Sequence, residues 1–173
     1  MITFIGHVSK DINVVGEKKE VVGGGGVVHG AITSALFGVR TFIVTKCAEE
    51  DIPLFSFLKE SGVQVKFLDS SSTTSIENVY GSSPDERESF LVAKADPFTK
   101  EDLDVVSTEI VHINPLWYGE FPEELIPVLR ERVRFLSADA QGFLRVEESG
   151  KLVYKDWEHK DYLSYFDLFK VDV

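Results

Sequence analysis

The chain opens on Ile2-Thr3-Phe4-Ile5-Gly6, an apolar run that reads, from Met1 to Gly6, as a buried strand. Beyond it, the β-prone stretches Asp11 to Val15 and Glu20 to Val22 flank Gly16-Glu17-Lys18 and predict a hairpin projecting from that strand. The period then changes. Val28, Ala31, Ile32, Ala35 and Leu36 fall at i, i+3, i+4, i+7 and i+8, the apolar stripe of a helix from Val28 to Phe37, with Gly38 placed to cap it. A strand follows over Thr41 to Thr45. A helix announced by Asp51 and Pro53 and ended by Gly62 turns Leu54, Phe55 and Leu58 inward. Val63 to Leu68 reads as a strand, and Ser75 to Tyr80 and Ser89 to Ala93 pair across the turn-rich Gly81-Ser82-Ser83-Pro84-Asp85. The remaining pattern predicts a helix start at Thr99 to Asp102, a strand at Glu109 to Ile113 and a helix at Pro122 to Arg130. Strands at Val133 to Ser137 and Asp167 to Asp172 complete it.

Strands alternating with helices and joined by short connections predict an α/β class built on a parallel sheet. The two hairpins, at about residues 11–22 and 75–93, lack the helices that parallel strands need between them. They are expected to form a small separate sheet over the mouth of a site at the carboxyl ends of the main strands. A length of 173 residues with 43% hydrophobic content supports one unit with a substantial core. No run approaches the roughly 18 apolar residues that span a bilayer, and no charged leader precedes the first strand, so no membrane partner and a cytoplasmic location are expected. Cys47 is the single cysteine and reads as a small core residue. The formal net charge of −11 argues against a nucleic-acid partner, since no basic cluster is present to neutralise phosphates. An anionic nucleotide can still be bound locally by backbone amides.

Gly23-Gly24-Gly25-Gly26 lead directly into a helix of small residues, with His29, Gly30 and Ala31 in its first turns. Glycines let the backbone approach a ligand closely, and a helix start offers unpaired N–H groups. A flexible strand-to-helix turn is the plain alternative. The dinucleotide fingerprint fails, because His29 stands where Gly24 and Gly26 would need a third glycine. The phosphate-cradling loop fails too, for no Gly-Lys-Ser/Thr follows. His7, His112 and His159 are scattered singly, so no metal site is expected.

Gly6 to Asp11, Gly24-Gly25-Gly26 through Phe37-Gly38, and Thr41 to Asp51 resemble the opening of the ribokinase family of carbohydrate kinases. The likeness continues through the two hairpins, Ser137 to Arg145 and Phe169 to Asp172. Gly6 to Asp11, His112 to Phe121 and Ala138 to Arg145 are most similar to a thermophilic bacterial branch that includes a myo-inositol kinase. The resemblance implies a three-layer α/β/α sandwich with a small β-sheet lid, incomplete at its C-terminus. It also implies transfer of the ATP γ-phosphoryl group, with magnesium, to a hydroxyl of a sugar or polyol.

Carried over by resemblance, Asp11 would hold substrate hydroxyls, and Gly24, Gly25 and Gly26 would admit the sugar. An ionised carboxylate suits a polyol because it accepts strong hydrogen bonds. His29 stands where many members have asparagine, which argues against a plain ribokinase. Thr74, Asn78 and Arg87 fall on the lid strands, where solvated polar positions are the alternative reading. Asn114 follows a strand and could reach the rim or merely start a turn. Asp139, Gln141 and Arg145 match a strand-end cluster, which an internal Asp139–Arg145 ion pair would also explain. Lys170 and Asp172 fall in the phosphate and metal region. The family's Gly-Ala-Gly-Asp motif, which supplies an anion hole and a general base, does not occur in this sequence. The expectation is therefore an acceptor-binding chain without turnover, binding neither ATP nor magnesium tightly by itself and associating through its lid or an exposed sheet edge. A non-catalytic sugar-binding or regulatory module and an unrelated nucleotide-binding α/β protein are the alternatives.

Overall fold

The first strand, β1 (Ile2–Ile5), is apolar throughout because both its faces are covered: Phe4 turns into one apolar cluster and its neighbour Ile5 into another. The computed structural model describes residues 1–83 and 86–171. After β1 the chain makes the hairpin β2 (Ser9–Val15) and β3 (Lys18–Gly24), then α1 (Gly26–Leu36), β4 (Thr41–Cys47), α2 (Phe57–Glu60) and β5 (Gln64–Asp69). A second hairpin, β6 (Thr74–Tyr80) and β7 (Arg87–Ala93), precedes β8 (Ile110–Ile113), α3 (Leu125–Arg130) and β9 (Phe135–Asp139). The chain continues through α4 (Gln141–Leu144), a third hairpin β10 (Arg145–Glu148) and β11 (Lys151–Tyr154), and β12 (Leu168–Lys170).

Six strands form a wholly parallel sheet in the order β12-β9-β8-β1-β4-β5. On one face α1 and the segment around α2 lay Val27, Val28, Ala31, Phe55 and Leu58 against Phe4 and Ile43. On the other, Ile126 and Leu129 of α3 cover Ile5, Val44, Val111 and Leu136. Helical layers on both faces explain why these strands read as continuous apolar runs. Beyond β11, Trp157 stacks on Phe169 with ring centroids 5.6 Å apart and also meets Phe143 at 4.8 Å, fastening the C-terminal segment to the second face. No helix among the described residues is long and apolar enough to cross a membrane.

The remaining six strands make the lid, ordered β10-β11-β7-β6-β2-β3, with only β2 and β6 parallel. The expected hairpins are longer than their β-prone cores and are joined by the third, at residues 145–154, which the sequence reading left out. Its strands are four residues each, too short to declare a period. The helix expected to run from Asp51 to Gly62 is instead a 3-10 segment, Glu49–Phe55, followed by the single turn of α2. Pro53 sits inside that segment without an amide donor, so a continuous α-helical ladder cannot form across it. The Pro122 to Arg130 helix becomes regular only at Leu125, and the Val133 to Ser137 strand shifts to Phe135–Asp139. Asp172, the end of the last expected strand, lies outside the described residues.

Leu136, fully buried between β8 and β12, and Leu36, 82% exposed at the end of α1, separate core from surface. Leu136→Ala is expected to cost about 2–5 kcal/mol in urea unfolding, and Leu36→Ala less than about 0.5.

Candidate functional site

Strand order reverses where β1 meets its two neighbours, β4 and β8, and in open parallel sheets the crevice beyond the strand ends at such a reversal is where ligands sit. Two glycine contacts set the walls of that crevice. A side chain at Gly24 would lie 2.2 Å from Asp11 Oδ2, and one at Gly26 only 1.6 Å from Asn114 Oδ1. Between them Gly25 takes φ +110°, a conformation that side chains rarely adopt. The glycine run is thus held between the lid carboxylate and the strand-end amide, and α1 starts directly from it.

Lid register supplies the rest. β2 and β6 run parallel with Ser9 opposite Thr74, Asp11 opposite Ile76 and Asn13 opposite Asn78. Across the antiparallel β6–β7 pair Asn78 faces Ser89 and Tyr80 faces Arg87. Alternation therefore brings Asp11, Ile76 and Asn78 to one hollow of about 180 Å³, with Gly25, Gly26 and His29 on its floor. Arg87, Arg145 and Gln141 close its sides. Asn78 is buried and orders its neighbours: it accepts a 2.7 Å hydrogen bond from the Ser89 hydroxyl and donates at 3.3 Å to Asn13 Oδ1. Burial raises the Asp11 carboxyl above its ordinary range, opposed by the Ser9 hydroxyl and by the positive charge of His29, Arg145 and Arg87.

Of the residues singled out in the sequence, Asp11, Gly25, Gly26, His29, Asn78 and Gln141 share this hollow, while Gly24 backs Asp11 and Asn114 backs Gly26. Asp139 and Lys170 do not enter it. They line an adjoining hollow of about 170 Å³, and Gln141 belongs to both. Asp139 bonds the Asn114 amide and lies 3.7 Å from His112 Nε2 and 3.8 Å from Lys170 Nζ. Burial pushes Asp139 up, but His112, Lys170 and Asn114 outweigh it and hold the carboxyl below its usual range. The alternative Asp139–Arg145 ion pair is not formed, because Arg145 turns into the hollow of Asp11.

Sequence reasoning missed the joint beneath the site. His7 and Glu120 are both fully buried: Glu120 accepts the backbone N–H groups of His7 at 2.6 Å and Leu116 at 2.8 Å. His7 Nδ1 meets the Thr74 hydroxyl at 2.8 Å, and that oxygen also receives the Ala95 N–H at 3.1 Å. One hydroxyl thereby ties the end of β1 to the β6–β7 hairpin of the lid. Burial lifts the Glu120 carboxyl to about 8 and lowers the His7 imidazole to about 3, leaving both neutral at pH 7. The signal was Glu120 itself, an acid between Trp117 and Phe121 in an apolar stretch.

No family model and no curated protein matches the chain. Among solved structures, a pyrophosphate-dependent kinase in the ribokinase family, in its sulfate complex, is 68% identical over 99% of this chain with a TM-score of 0.95. Over nearly its whole length the chain is similar to this ribokinase-family kinase and shares its fold. It spans 62% of that kinase's length. A pyrophosphate-dependent kinase of the family complexed with a pyrophosphate analog and myo-inositol is 65% identical, with a TM-score of 0.93, over 99% of this chain and 61% of its own. A third ribokinase-fold structure, 64% identical with a TM-score of 0.91, covers 99% of this chain and 59% of its own. It is a pyrophosphate-dependent myo-inositol-1 kinase converted into a myo-inositol-3 kinase by N78L/S89L. The mixed α/β architecture with its separate lid sheet is thus the ribokinase fold, represented here over about three fifths of those relatives.

The buried acid gives the chain a pH signature. Because the folded-state pKa of Glu120 lies above its unfolded value of 4.5, the unfolded chain sheds that proton first, and stability falls as pH rises from 4.5 to about 8. His7, depressed from 6.5 to about 3, acts oppositely and only below pH 6.5. Between pH 6.5 and 8 the Glu120 effect is therefore unopposed by His7. Urea midpoints should drop across that interval, and the drop should shrink in Glu120→Gln.

Proposed function

We propose that the chain is the acceptor-binding part of a kinase that transfers a phosphoryl group from pyrophosphate to a hydroxyl of myo-inositol. The observation that carries this reading is buried Asn78, which lines one hollow with Asp11 and the glycine run and is bonded from behind by the buried Ser89 hydroxyl at 2.7 Å. Those two residue types at those two positions are the ones whose replacement changes a myo-inositol-1 kinase into a 3-kinase. A cyclitol presents near-equivalent hydroxyls around a ring, so choosing one requires polar groups that accept some orientations and leave others unpaired.

In this reading Asp11 accepts hydrogen bonds from acceptor hydroxyls, and its partly desolvated carboxylate makes each one stronger than a neutral acceptor would. The Gly25–Gly26 backbone lets the ring approach the start of α1. Asn78 and Ser89 fix which hydroxyl faces the transfer point. The adjoining hollow of Asp139, Gln141 and Lys170 lies on the donor side, with Gln141 spanning the two. Ribokinase resemblance alone implied ATP; the relatives' dependence on pyrophosphate makes pyrophosphate the donor proposed here. Transfer would be in-line, with catalysis arising from positioning and charge stabilisation. Among the described residues no three His, Cys, Asp or Glu side chains gather into one cluster, and magnesium is commonly held by one or two carboxylates together with substrate phosphates. A small polyol is the partner, and nothing in the reading calls for nucleic acid.

Calorimetric titration of the chain with myo-inositol tests this directly. Binding is expected, and Asp11→Asn should weaken it about ten- to a hundredfold, the loss of hydrogen bonds to a charged group. Affinity untouched by Asp11→Asn would remove Asp11 from the site and the reading with it. Gly26→Ala, which drives a methyl group into Asn114, should abolish binding, while Gly38→Ala, strained by its φ of +77° but with open space around it and away from the hollow, should lower stability and leave binding intact.

A further inference from the structure

The acceptor hollow holds more positive charge than a neutral polyol needs. Arg145 is only 7% exposed, yet among the described residues what acts on its guanidinium besides burial is charge alone, from Tyr154, Arg87 and Asp11, with no hydrogen bond among the causes. Arg87 stands two strands away on β7, across β11, and its exposed side chain lines the same hollow. Both line the acceptor hollow, and both also line a second hollow of about 210 Å³ behind it, together with Ser89, Lys151 and Tyr154. The lysine of that second hollow is already matched, since Lys151 bonds Glu88. Asp11 is the one carboxylate in the acceptor hollow, so two guanidinium groups face a single acid and the balance is positive.

That excess is costly. A guanidinium taken out of water without a counter-charge loses solvation that only a partner can return. A nearby second guanidinium worsens it: burial and Arg87 both push the Arg145 guanidinium below its ordinary range, against Tyr154 and Asp11. Hydroxyls of a cyclitol would supply acceptor lone pairs but no charge, and Asn78 and Gln141 already suit hydroxyls. Two arginines converging on one hollow match the planar, multiply accepting oxygens of a phosphate group. The molecule as a whole carries a formal charge of −11, so attraction for an anion here is local to the pair.

We propose that Arg87 and Arg145 form a phosphate subsite at the lid end of the acceptor hollow, filled by the phosphate of a cyclitol monophosphate or by free phosphate. The proposal rests on the acceptor reading above for the identity of the cyclitol, and on the arginines alone for the anion. A chain with this subsite holds the phosphorylated cyclitol in an orientation opposite to that of transfer, with its phosphate toward the lid. Accumulated product then competes with fresh acceptor for the same hollow.

Titrating the chain separately with myo-inositol, myo-inositol 1-phosphate and inorganic phosphate tests it. The monophosphate is expected to bind at least about tenfold tighter than myo-inositol, as charge-assisted bidentate contacts would give. Arg87 is exposed, so Arg87→Gln leaves the core untouched. In that variant and in Arg145→Gln the preference for the monophosphate over inositol should fall toward unity, with partial recovery in Arg87→Lys. Inorganic phosphate binding as tightly as the ester would make free phosphate the ligand; a much tighter ester would make it the cyclitol phosphate. Equal affinities for inositol and its monophosphate, or a preference that survives both glutamine variants, would overturn the subsite while leaving the acceptor reading intact. Phosphate binding lost in Arg87→Gln, with inositol never bound, would keep the subsite and discard the acceptor.

Discussion

Everything at this site depends on how closely one stretch of backbone approaches two side chains. Gly24 to Gly26 pass between Asp11 of the lid and Asn114 of the main sheet at distances no Cβ could survive. That contact fixes where α1 begins, and α1 in turn seats Val27, Val28 and Ala31 on the sheet. A single constraint therefore sets the floor of the hollow and one layer of the core together. It also explains why four consecutive glycines, which would weaken an ordinary strand end, are tolerated here: their flexibility is removed by packing on both sides.

The parallel sheet was legible because its strands are buried on both faces and its main helix is amphipathic, so β1, β4, β8 and α1 announce themselves by period. Family likeness singled out Asp11, the glycines and Asn78, positions that spacing alone could not supply, and the structure gathers Asp11, Gly25, Gly26 and Asn78 around one hollow. The joint of His7, Thr74 and Glu120 was not legible, because its partners lie 67 and 113 residues apart and each looks ordinary in its own segment. Pro53 was read as the start of a helix when its missing amide instead splits the segment. Arg145 looked like a partner for Asp139, and only tertiary placement shows it turned the other way, toward Asp11.

Polar groups divide into two kinds across the molecule. Those beneath the site bond chiefly among themselves: Thr74 collects bonds from His7 and Ala95, and Glu120 takes two backbone N–H groups, with His7 Nε2 left unpaired. Such networks fix geometry and hold the lid at a defined angle to the sheet. Those facing the hollow are left with capacity to spare, Arg145 above all. Rigid support below and unspent bonding capacity above is the division of labour that binding a small polar ligand requires.

The lid is assembled from three hairpins that leave the main sheet at three separate points along the chain, near residues 9, 74 and 145. It cannot swing as one loop on one hinge, since each hairpin has its own pair of tethers. The hollow around Asp11 draws residues from Ser9 at one end of this list to Arg145 at the other. During synthesis, then, the pocket closes late: the glycine turn and the carboxylate emerge early and wait, half-built, until the third hairpin arrives to wall them in.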